Sequence, residues 1–269
     1  MILTCFSHSV RQYHSVCVFK DSEGGRAPLY ARMAKLLSEG RGIIYVAESD
    51  VGSVVNRMVR ATGIEIESYV EAGALVMVDS NSFYSSDGKI LGGQELLDKW
   101  HSYILKLKEN GFEKILVMGT AEPFLRENHG DELSKYEQMV GKTFAMPLEA
   151  VCCYSQKEAT SLSPAQIISI LNSHECTLHE GWRYRHWRTE EIVNAITEGL
   201  DRSLGPNASE LIFNTITHVY KIDNSSIVSQ PERLENAIQR LFRDSSGSVL
   251  KEISKEFVIE MAWSSRAAA

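Results

Sequence analysis

The sequence predicts an α/β fold, in which helices flank a mostly parallel sheet, followed by a small all-helical domain. The first observation is a strand–turn–helix–strand unit, since apolar runs at 16–19 and 43–47 enclose a polar turn and a helix at 29–37. Three further apolar runs then alternate with helical periodicity as far as residue 153. Beyond Thr189 only helical periodicity continues, which predicts the second domain.

Length and composition are those of an ordinary globular protein. The 269 residues are enough for one large α/β domain and an appendage, and 43% are hydrophobic while 23% are charged. The net charge of −7 disfavours nonspecific binding to nucleic acids. No apolar run approaches the roughly 20 residues that span a bilayer, and no signal peptide opens the chain, so we expect a cytoplasmic protein. Five cysteines without a CxxC pair indicate reduced thiols.

The boundaries of the elements follow from capping and turn residues. Ser49-Asp50 supplies side-chain oxygens for the start of a helix, and Ser163-Pro164 starts another with proline at its first position. Residues 80–93, with Asp87-Gly88 at the tip, are predicted to form a turn-rich loop over a site. The other predicted elements are helices at 51–61, 64–72, 94–110, 131–140 and 165–174 and strands at 75–78, 115–118, 150–153, 176–178 and 183–187.

The region from Thr189 onward is predicted to be an interaction or dimerisation domain. Acidic residues outnumber basic ones there, which disfavours a DNA-binding domain. We predict domain boundaries at 1–188 and 189–266. The predicted helices of the second domain cover 189–204, 209–220, 231–242 and a last segment that ends near Trp263.

The turn at 20–28 lies where a nucleotide-binding fold would place its phosphate-binding loop. Such a loop requires GxxxxGK[ST], so that backbone N–H groups, a lysine and a hydroxyl surround the phosphates and magnesium. The chain has DSEGGRAP instead, which lacks the lysine–serine pair and carries two acids. Gly24-Gly25-Arg26 could still hold an anion at the start of the helix, although a flexible turn is the favoured interpretation. We therefore predict a binding or sensing protein rather than an enzyme.

Three acidic residues, Glu48, Asp79 and Glu122, follow the ends of predicted strands. In open α/β sheets ligands bind outside the carboxyl ends of the strands, so these side chains could contact a cation or a ligand, or act as acid and base. The alternative is that strand ends simply reach solvent, where polar residues are preferred.

Two histidine–cysteine patterns are candidate metal ligands. His14 and Cys17 form H-x-x-C, and His174, Cys176 and His179 form H-x-C-x-x-H. The period of two along a strand places His14 and Cys17 on opposite faces, unless His14 precedes the strand. We therefore favour buried structural roles and predict neither a metal nor another cofactor.

Two further motifs receive ordinary interpretations. Residues 182–188, WRYRHWR, could stack on nucleobases, but an edge strand that joins the two domains is favoured. Cys152 and Cys153 are adjacent, which rules out a normal structural disulfide between them. Neither has an evident base beside it in the sequence, so nucleophilic catalysis is not predicted.

Seven segments of the chain together resemble the MEDS domain, the sensory domain of methanogens, methylotrophs and the dichloromethane-responsive repressor DcmR. They are HSVCVF, GIIYVAES, EAGALVMVDS, KILVMGTAEPF, SKYEQMV, PLEAVCCYSQ and ILNSHE. The resemblance covers about residues 10–187. It implies a RecA/KaiC-like fold without a working phosphate loop, and a role in sensing small hydrocarbon derivatives or related metabolites.

The same resemblance implies that several residues occupy positions typical of the family. These residues are His14, Cys17, Glu122, Glu137, Tyr154 and His174. Pro123-Phe124 departs from the more usual methionine–tryptophan-like ending, which implies a different pocket wall.

Residues 193–260 resemble a small helical output domain of ammonia-oxidising archaea. The matching segments are GLDRSLG at 199–205, Ile222, PERL at 231–234 and LF at 241–242. This resemblance implies a sensor followed by an output domain, an archaeal source and a role in transcription regulation.

The sequence thus predicts a non-enzymatic sensor. It binds a small molecule at the C-terminal edge of the sheet, and the binding signal is relayed to the helical domain. Binding is expected to order the loop after Asp79. We expect a protein partner or a second copy at the helical domain, and neither a membrane nor a nucleic acid as partner. The alternatives are a divergent KaiC-like ATPase that uses Glu122, and a scaffold with a vestigial site. The predicted ligand-binding residues are His14, Cys17, Lys20, Asp21, Gly24, Gly25, Arg26, Glu48, Asp79, Glu122, Glu137 and Tyr154.

Overall fold

The computed structural model describes residues 13–20, 24–48, 50–126, 128–143, 148–179 and 183–262. Predictions that concern Asp21, Ser49, Trp182 or the end of the chain lie outside these ranges. Within them the protein has a mixed α/β fold, in which helices flank a mostly parallel sheet and further helices follow it. The predicted fold class is confirmed.

The strands of the described part form one seven-stranded sheet and one small hairpin. Their bounds are β1 (Tyr13–Phe19), β2 (Gly42–Ala47), β3 (Leu75–Asp79), β4 (Ser85–Ser86), β5 (Lys89–Ile90), β6 (Ile115–Thr120), β7 (Glu149–Ser155), β8 (Cys176–His179) and β9 (Arg183–Arg185). The order in the large sheet is β3-β2-β6-β7-β1-β8-β9. All neighbours are parallel except β9, which pairs antiparallel to β8 as the predicted edge strand.

The helices agree closely with the predicted ones, apart from several short ones. Their bounds are α1 (Ala27–Ser38), α2 (Val51–Thr62), α3 (Ile66–Glu71), α4 (Ser80–Tyr84), α5 (Gly93–Glu109), α6 (Glu122–Arg126), α7 (Gly130–Thr143), α8 (Gln156–Ala159), α9 (Pro164–Ser173), α10 (Thr189–Leu204), α11 (Ala208–His218), α12 (Asn224–Ser229), α13 (Pro231–Phe242) and α14 (Ser246–Met261). The sequence did not predict α4, α6, α8 and α12, because four to six residues are too few to show a helical period. In the described part of the chain, no helix is both long and apolar enough to cross a bilayer.

The segment after β3 is not the predicted loop. It forms α4 and then the β4–β5 hairpin, whose turn residues Asp87 and Gly88 both have positive φ, as a two-residue hairpin turn requires. The Phe83 ring lies 4.4 Å from the Trp100 ring, and the Lys99 ammonium donates hydrogen bonds to the Phe83 carbonyl at 2.8 Å and to the preceding one. These contacts attach the segment to α5.

Two hydrophobic cores lie on the two faces of the sheet. In β1 the side chains alternate, so that Val16 and Val18 face one core while Cys17 and Phe19 face the other. The second core is completed by α1, α2 and α3, and the first by α5, α7 and α9. The C-terminal helices α10 to α14 contribute to the first core as well, so they bury apolar surface together with the sheet.

Several polar contacts attach the C-terminal helices to the α/β part. Asn172 in α9 donates to the Val228 carbonyl at 2.7 Å, and the Ala165 amide donates to Glu235 at the same distance. Ala262, which directly follows α14, forms a parallel bridge with Val18 in β1. The end of the last helix therefore lies beside β1.

Candidate functional site

The structure places six of the twelve predicted ligand-binding residues in two clusters. We call Arg26, Glu48, Arg57 and Glu122 the sheet-edge cluster, because they follow or face the carboxyl ends of the strands. We call His14, Glu137, Cys152, Tyr154 and His174 the buried cluster, because they lie between the sheet and the helices α7 and α9.

Glu48 is the centre of the sheet-edge cluster. It follows β2 and is only 8% exposed, and its carboxylate forms ion pairs with Arg26 at the start of α1 and with Arg57 in α2. The Tyr45 hydroxyl donates to Glu48 Oε2 at 3.2 Å, and the Arg26 guanidinium lies 4.2 Å from the centre of the Phe19 ring. A carboxylate removed from water needs such partners, since its desolvation is otherwise costly.

Glu122 follows β6 and begins α6. Burial and the neighbouring Glu158 carboxyl raise the pKa of Glu122, while Arg126 and Arg26 act against the shift. Its Oε2 is buried and has no hydrogen-bond partner among the described residues. A buried polar atom without a partner costs free energy, so a polar ligand atom placed here would be stabilised.

The other predicted residues of this edge have local roles or are exposed. Asp79 Oδ1 accepts a hydrogen bond from the Ser82 amide at 3.0 Å, which makes Asp79 the N-cap of α4. Gly24 and Gly25 form the turn before α1, and Lys20 is exposed directly after β1. Asp21 lies outside the described residues.

The polar side-chain atoms of the buried cluster converge on one point. Cys152 Sγ lies 3.3 Å from His14 Nε2 and 3.2 Å from Glu137 Oε2. His14 Nε2 and His174 Nε2 both lie 3.6 Å from that same oxygen, and the two imidazole rings stack at 3.8 Å. The Tyr154 hydroxyl donates to the other oxygen, Glu137 Oε1.

Four elements bring these side chains together. His14 in β1 and Cys152 in β7 lie two residues apart in the register of paired parallel strands, so they point to the same face. Glu137 projects from α7, and His174 is the C-cap that directly follows α9. The carbonyl of Ser173 accepts from His14 Nδ1 at 3.1 Å, so the end of α9 also orients the first imidazole.

Burial pushes the members of this cluster towards their uncharged forms. It lowers the pKa of His14 to about 4, against a hydrogen bond to Ser173, and it lowers the pKa of His174 as well. It raises the pKa of Glu137 to about 7, against the hydrogen bonds from Tyr154 and Cys152. The pKa of the Cys152 thiol is raised by burial and by the Glu137 carboxyl beside it.

The sequence patterns identified only part of this cluster. His14 and Cys17 point to opposite faces of β1, as the period of two predicted, and Cys17 packs in the second core. His179 bonds instead to Thr177 at 2.9 Å. The view that Cys152 has no base beside it is wrong, because the fold brings His14 and Glu137 to it from 138 and 15 positions away.

In a comparison with family models, one model matches residues 13–175. The model is that of MEDS, described as the MEthanogen/methylotroph, DcmR Sensory domain. No curated protein matches the chain. The matched range contains β1 to β7 and every member of both clusters, and it covers more than half of the sequence. The chain therefore belongs to the MEDS family of sensory domains.

Proposed function

We propose that this protein is a non-enzymatic sensor that binds a small molecule at the carboxyl edge of the sheet and relays binding to the C-terminal helices. The observation that carries the proposal is the buried Oε2 of Glu122, which has no partner among the described residues and lies near the ion pairs of Glu48. Membership of a sensory family supports the same reading.

The chemistry of the edge favours a small, polar derivative of a hydrocarbon. The buried Glu122 Oε2 has no hydrogen-bond partner among the described residues, so a ligand group that donates a hydrogen bond would satisfy it. The hydroxyl or amino group of such a ligand could bind the Glu122 carboxyl, while the short apolar part of the ligand would contact side chains such as Phe19. Such ligands fit the compounds that the family is thought to sense.

A relay from this edge can pass through β1. Arg26 stacks on Phe19, whose neighbour Val18 bridges to Ala262 at the end of α14. A ligand that displaces the Arg26 guanidinium would change the packing of Phe19 and thereby the attachment of the last helix. Signalling also requires that the ligand bind the two arrangements with different affinities.

Several features support a sensor over an enzyme. Arg26, the cation of the turn that replaces a phosphate loop, is already paired with Glu48, which favours a RecA/KaiC-like domain without phosphate chemistry. Burial raises the pKa of the thiols of Cys152 and Cys176, the latter to about 12, so both are poor nucleophiles. We expect no ATP binding in calorimetry with magnesium present.

The output surface is expected on the C-terminal helices. Leu211 in α11 is 72% exposed and Val219, directly after that helix, is 68% exposed. Single exposed apolar side chains are common, so these two only give the position at which a partner or a second copy would be sought. Light scattering of the wild type and of Leu211→Ser tests the self-association that a second copy would require.

Hydrogen–deuterium exchange of the full chain tests the proposal directly. The probes are small alcohols, amines and halogenated methanes, and we expect a binding compound to slow exchange at residues 24–26 and at 258–262 together. Glu122→Gln should lower the affinity for that compound at least about 10-fold, because a carboxyl contact is lost. The exposed Glu113→Gln is the matched control and should leave the affinity unchanged. Equal affinity in both variants would contradict the site, and a change confined to 24–26 would contradict the relay.

A further inference from the structure

The buried cluster contains lone pairs that its own hydrogen bonds do not all satisfy. The carbonyl oxygens of Ser173 and Ile170 can only accept, so His14 Nδ1 and His174 Nδ1 each carry a proton and donate it at 3.1 and 2.7 Å. Each imidazole therefore presents the lone pair of its Nε2 to the same Glu137 oxygen.

The hydrogen bonds of the described residues do not separate all of these lone pairs. Even a protonated Glu137 Oε2 lies 3.6 Å from each imidazole Nε2, which is too long for a hydrogen bond. The Tyr154 hydroxyl proton goes to the other Glu137 oxygen, and the single thiol proton of Cys152 can satisfy His14 or Glu137 but not both. His174 Nε2 is buried and has no hydrogen-bond partner within the described ranges. A cation between the four atoms would remove the repulsion and the unpaired group together.

We propose that His14, Glu137, Cys152 and His174 form a closed tetrahedral binding site for a divalent zinc ion. The donor set is two imidazole nitrogens, one thiolate and one carboxylate oxygen, and these are the ligands that zinc prefers in proteins. Four protein ligands leave no open position, so the site is structural rather than catalytic.

The distances between the donor atoms fit this ion. Ligand bonds of about 2.0–2.3 Å at tetrahedral angles separate the ligand atoms by about 3.3–3.8 Å. Four of the six separations between the ligand atoms lie at 3.2 to 3.6 Å, and all four atoms lie within 4.8 Å of one another. Small movements of the side chains would therefore complete the coordination.

The surroundings also have the form of a metal site. Both Nδ1–H groups are held by backbone carbonyls and Glu137 is held by the Tyr154 hydroxyl, which fixes the orientation of three ligands. On binding, the Cys152 thiol gives one proton to solvent and any proton on Glu137 leaves as well. One thiolate and one carboxylate then neutralise the two positive charges of zinc, so the buried complex carries no net charge.

Zinc here would join β1, β7, α7 and α9 in one structural unit. Since α9 packs against the C-terminal helices through Asn172 and Ala165, the ion would stiffen the connection between sheet and helices. The inference does not depend on the sheet-edge ligand, because the two sites share no residue. If the experiments contradict the ligand site at the sheet edge, the zinc site is still tested by its own metal measurements, and the reverse also holds.

The full chain, produced in a medium in which cobalt replaces zinc, tests the site. Cobalt(II) bound by four ligands including a thiolate shows strong visible bands and a sulfur-to-metal charge-transfer band in the near ultraviolet. We expect one cobalt per chain and both sets of bands, with zinc displacing the cobalt. A metal content below about a tenth of an equivalent per chain would overturn the proposal.

The adjacent cysteines supply a matched pair of variants. Cys152→Ala should lose the charge-transfer band and at least about 90% of the metal, whereas Cys153→Ala, on the opposite face of β7, should keep both. A charge-transfer band that persists in Cys152→Ala would overturn the assignment.

Should Cys152→Ala fail to fold, Tyr154→Phe decides the question. This variant keeps all four ligands and the volume of the side chain. Removing the hydroxyl should make the metal about 10- to 100-fold easier to extract with a chelator, with the charge-transfer band retained. Extraction equal to that of the wild type would overturn the proposal.

Discussion

Glu48 shows how single residues at the sheet edge are stabilised. Its carboxylate is almost fully buried, but two arginines and the Tyr45 hydroxyl surround it. The sequence predicted that an acid would lie here, because strand ends of a parallel sheet meet at one edge. It could not predict the arginine partners, since Arg26 and Arg57 are placed by the packing of α1 against α2.

We expect Glu48→Gln to lower the free energy of unfolding by about 2 kcal/mol. The amide leaves Arg26 and Arg57 without their counter-charge in a largely dry environment, although both arginines partly reach solvent. Glu39→Gln is the control and should change the free energy by less than about 0.5 kcal/mol, because its ion pair with Lys35 is exposed and 4.0 Å long. Urea unfolding of both variants measures the difference; equal effects would show that Glu48 is not buried as described.

Glu256 gives the stability a dependence on pH. It lies in α14 with an ion pair to Arg202 at 2.9 Å, but burial and the nearby Glu198 carboxyl raise its pKa from 4.5 to about 7. The folded state then holds this proton more tightly than the unfolded state does. The contribution of Glu256 to stability is therefore present below pH 4.5 and is lost as the pH rises to about 7.

We expect Glu256→Gln to show a smaller fall of the unfolding free energy between pH 4.5 and pH 7 than the wild type. Other titrating groups, including Glu137, are present in both proteins, so the difference between the two profiles reports Glu256. Chemical denaturation at a series of pH values gives both curves. Parallel curves would contradict the raised pKa.

At the scale of elements, the close contact between α10 and α14 depends on Gly199. A Cβ at this position would lie 2.5 Å from Ile253 Cα, which is backbone and cannot move aside. We expect Gly199→Ala to lower the free energy of unfolding by about 2 kcal/mol through overpacking. Gly247→Ala in α14 is the control, because its Cβ would meet nothing within 4 Å, and we expect a gain of about 0.5 kcal/mol. Thermal unfolding compares them; equal losses would contradict the helix contact.

The elements that the sequence predicted correctly are those with a clear period. The strands β1, β2, β3, β6 and β7 are short apolar runs, and α5 and α10 show long amphipathic patterns. The segment around Phe83 and Tyr84 was misjudged as a loop, because its polar residues and Asp87-Gly88 hide a short helix and a hairpin that aromatic packing stabilises.

The same limit explains the buried cluster. Spacing rules detect ligands that are close in sequence, and they paired His14 with Cys17, which points to the opposite face. The nearest useful signal was the alternation of Cys152 and Tyr154 on one face of β7. The pairing of β1 with β7 brings His14 to Cys152, and the position of α7 brings Glu137 to both residues of β7.

At the scale of the whole molecule, the C-terminal helices share one core with the sheet. Side chains such as Ile196 in α10 and Phe257 in α14 belong to the same hydrophobic cluster as Val16 and Val18. The predicted boundary at residue 188 stays a prediction about domain organisation. The shared core indicates that both parts unfold together.

We therefore expect a single cooperative unfolding transition in urea. Circular dichroism reports the helices. Tryptophan fluorescence reports the four tryptophans, of which Trp100 lies in α5 and Trp187 beside Phe257. Their midpoints should coincide, because exposing the first core affects both parts at once. Two separated transitions would show that the helices form an independent domain.

The most direct test of the sensor proposal is native mass spectrometry of the freshly purified full chain, with the denatured mass of the same sample as reference. We predict a native species that carries a small organic molecule, in addition to any metal ion, and loses it on denaturation. Glu122→Gln should show that species at a much lower level. If the native and denatured masses of the wild type show no bound organic molecule, the sensor proposal is contradicted and a scaffold with a vestigial site is favoured.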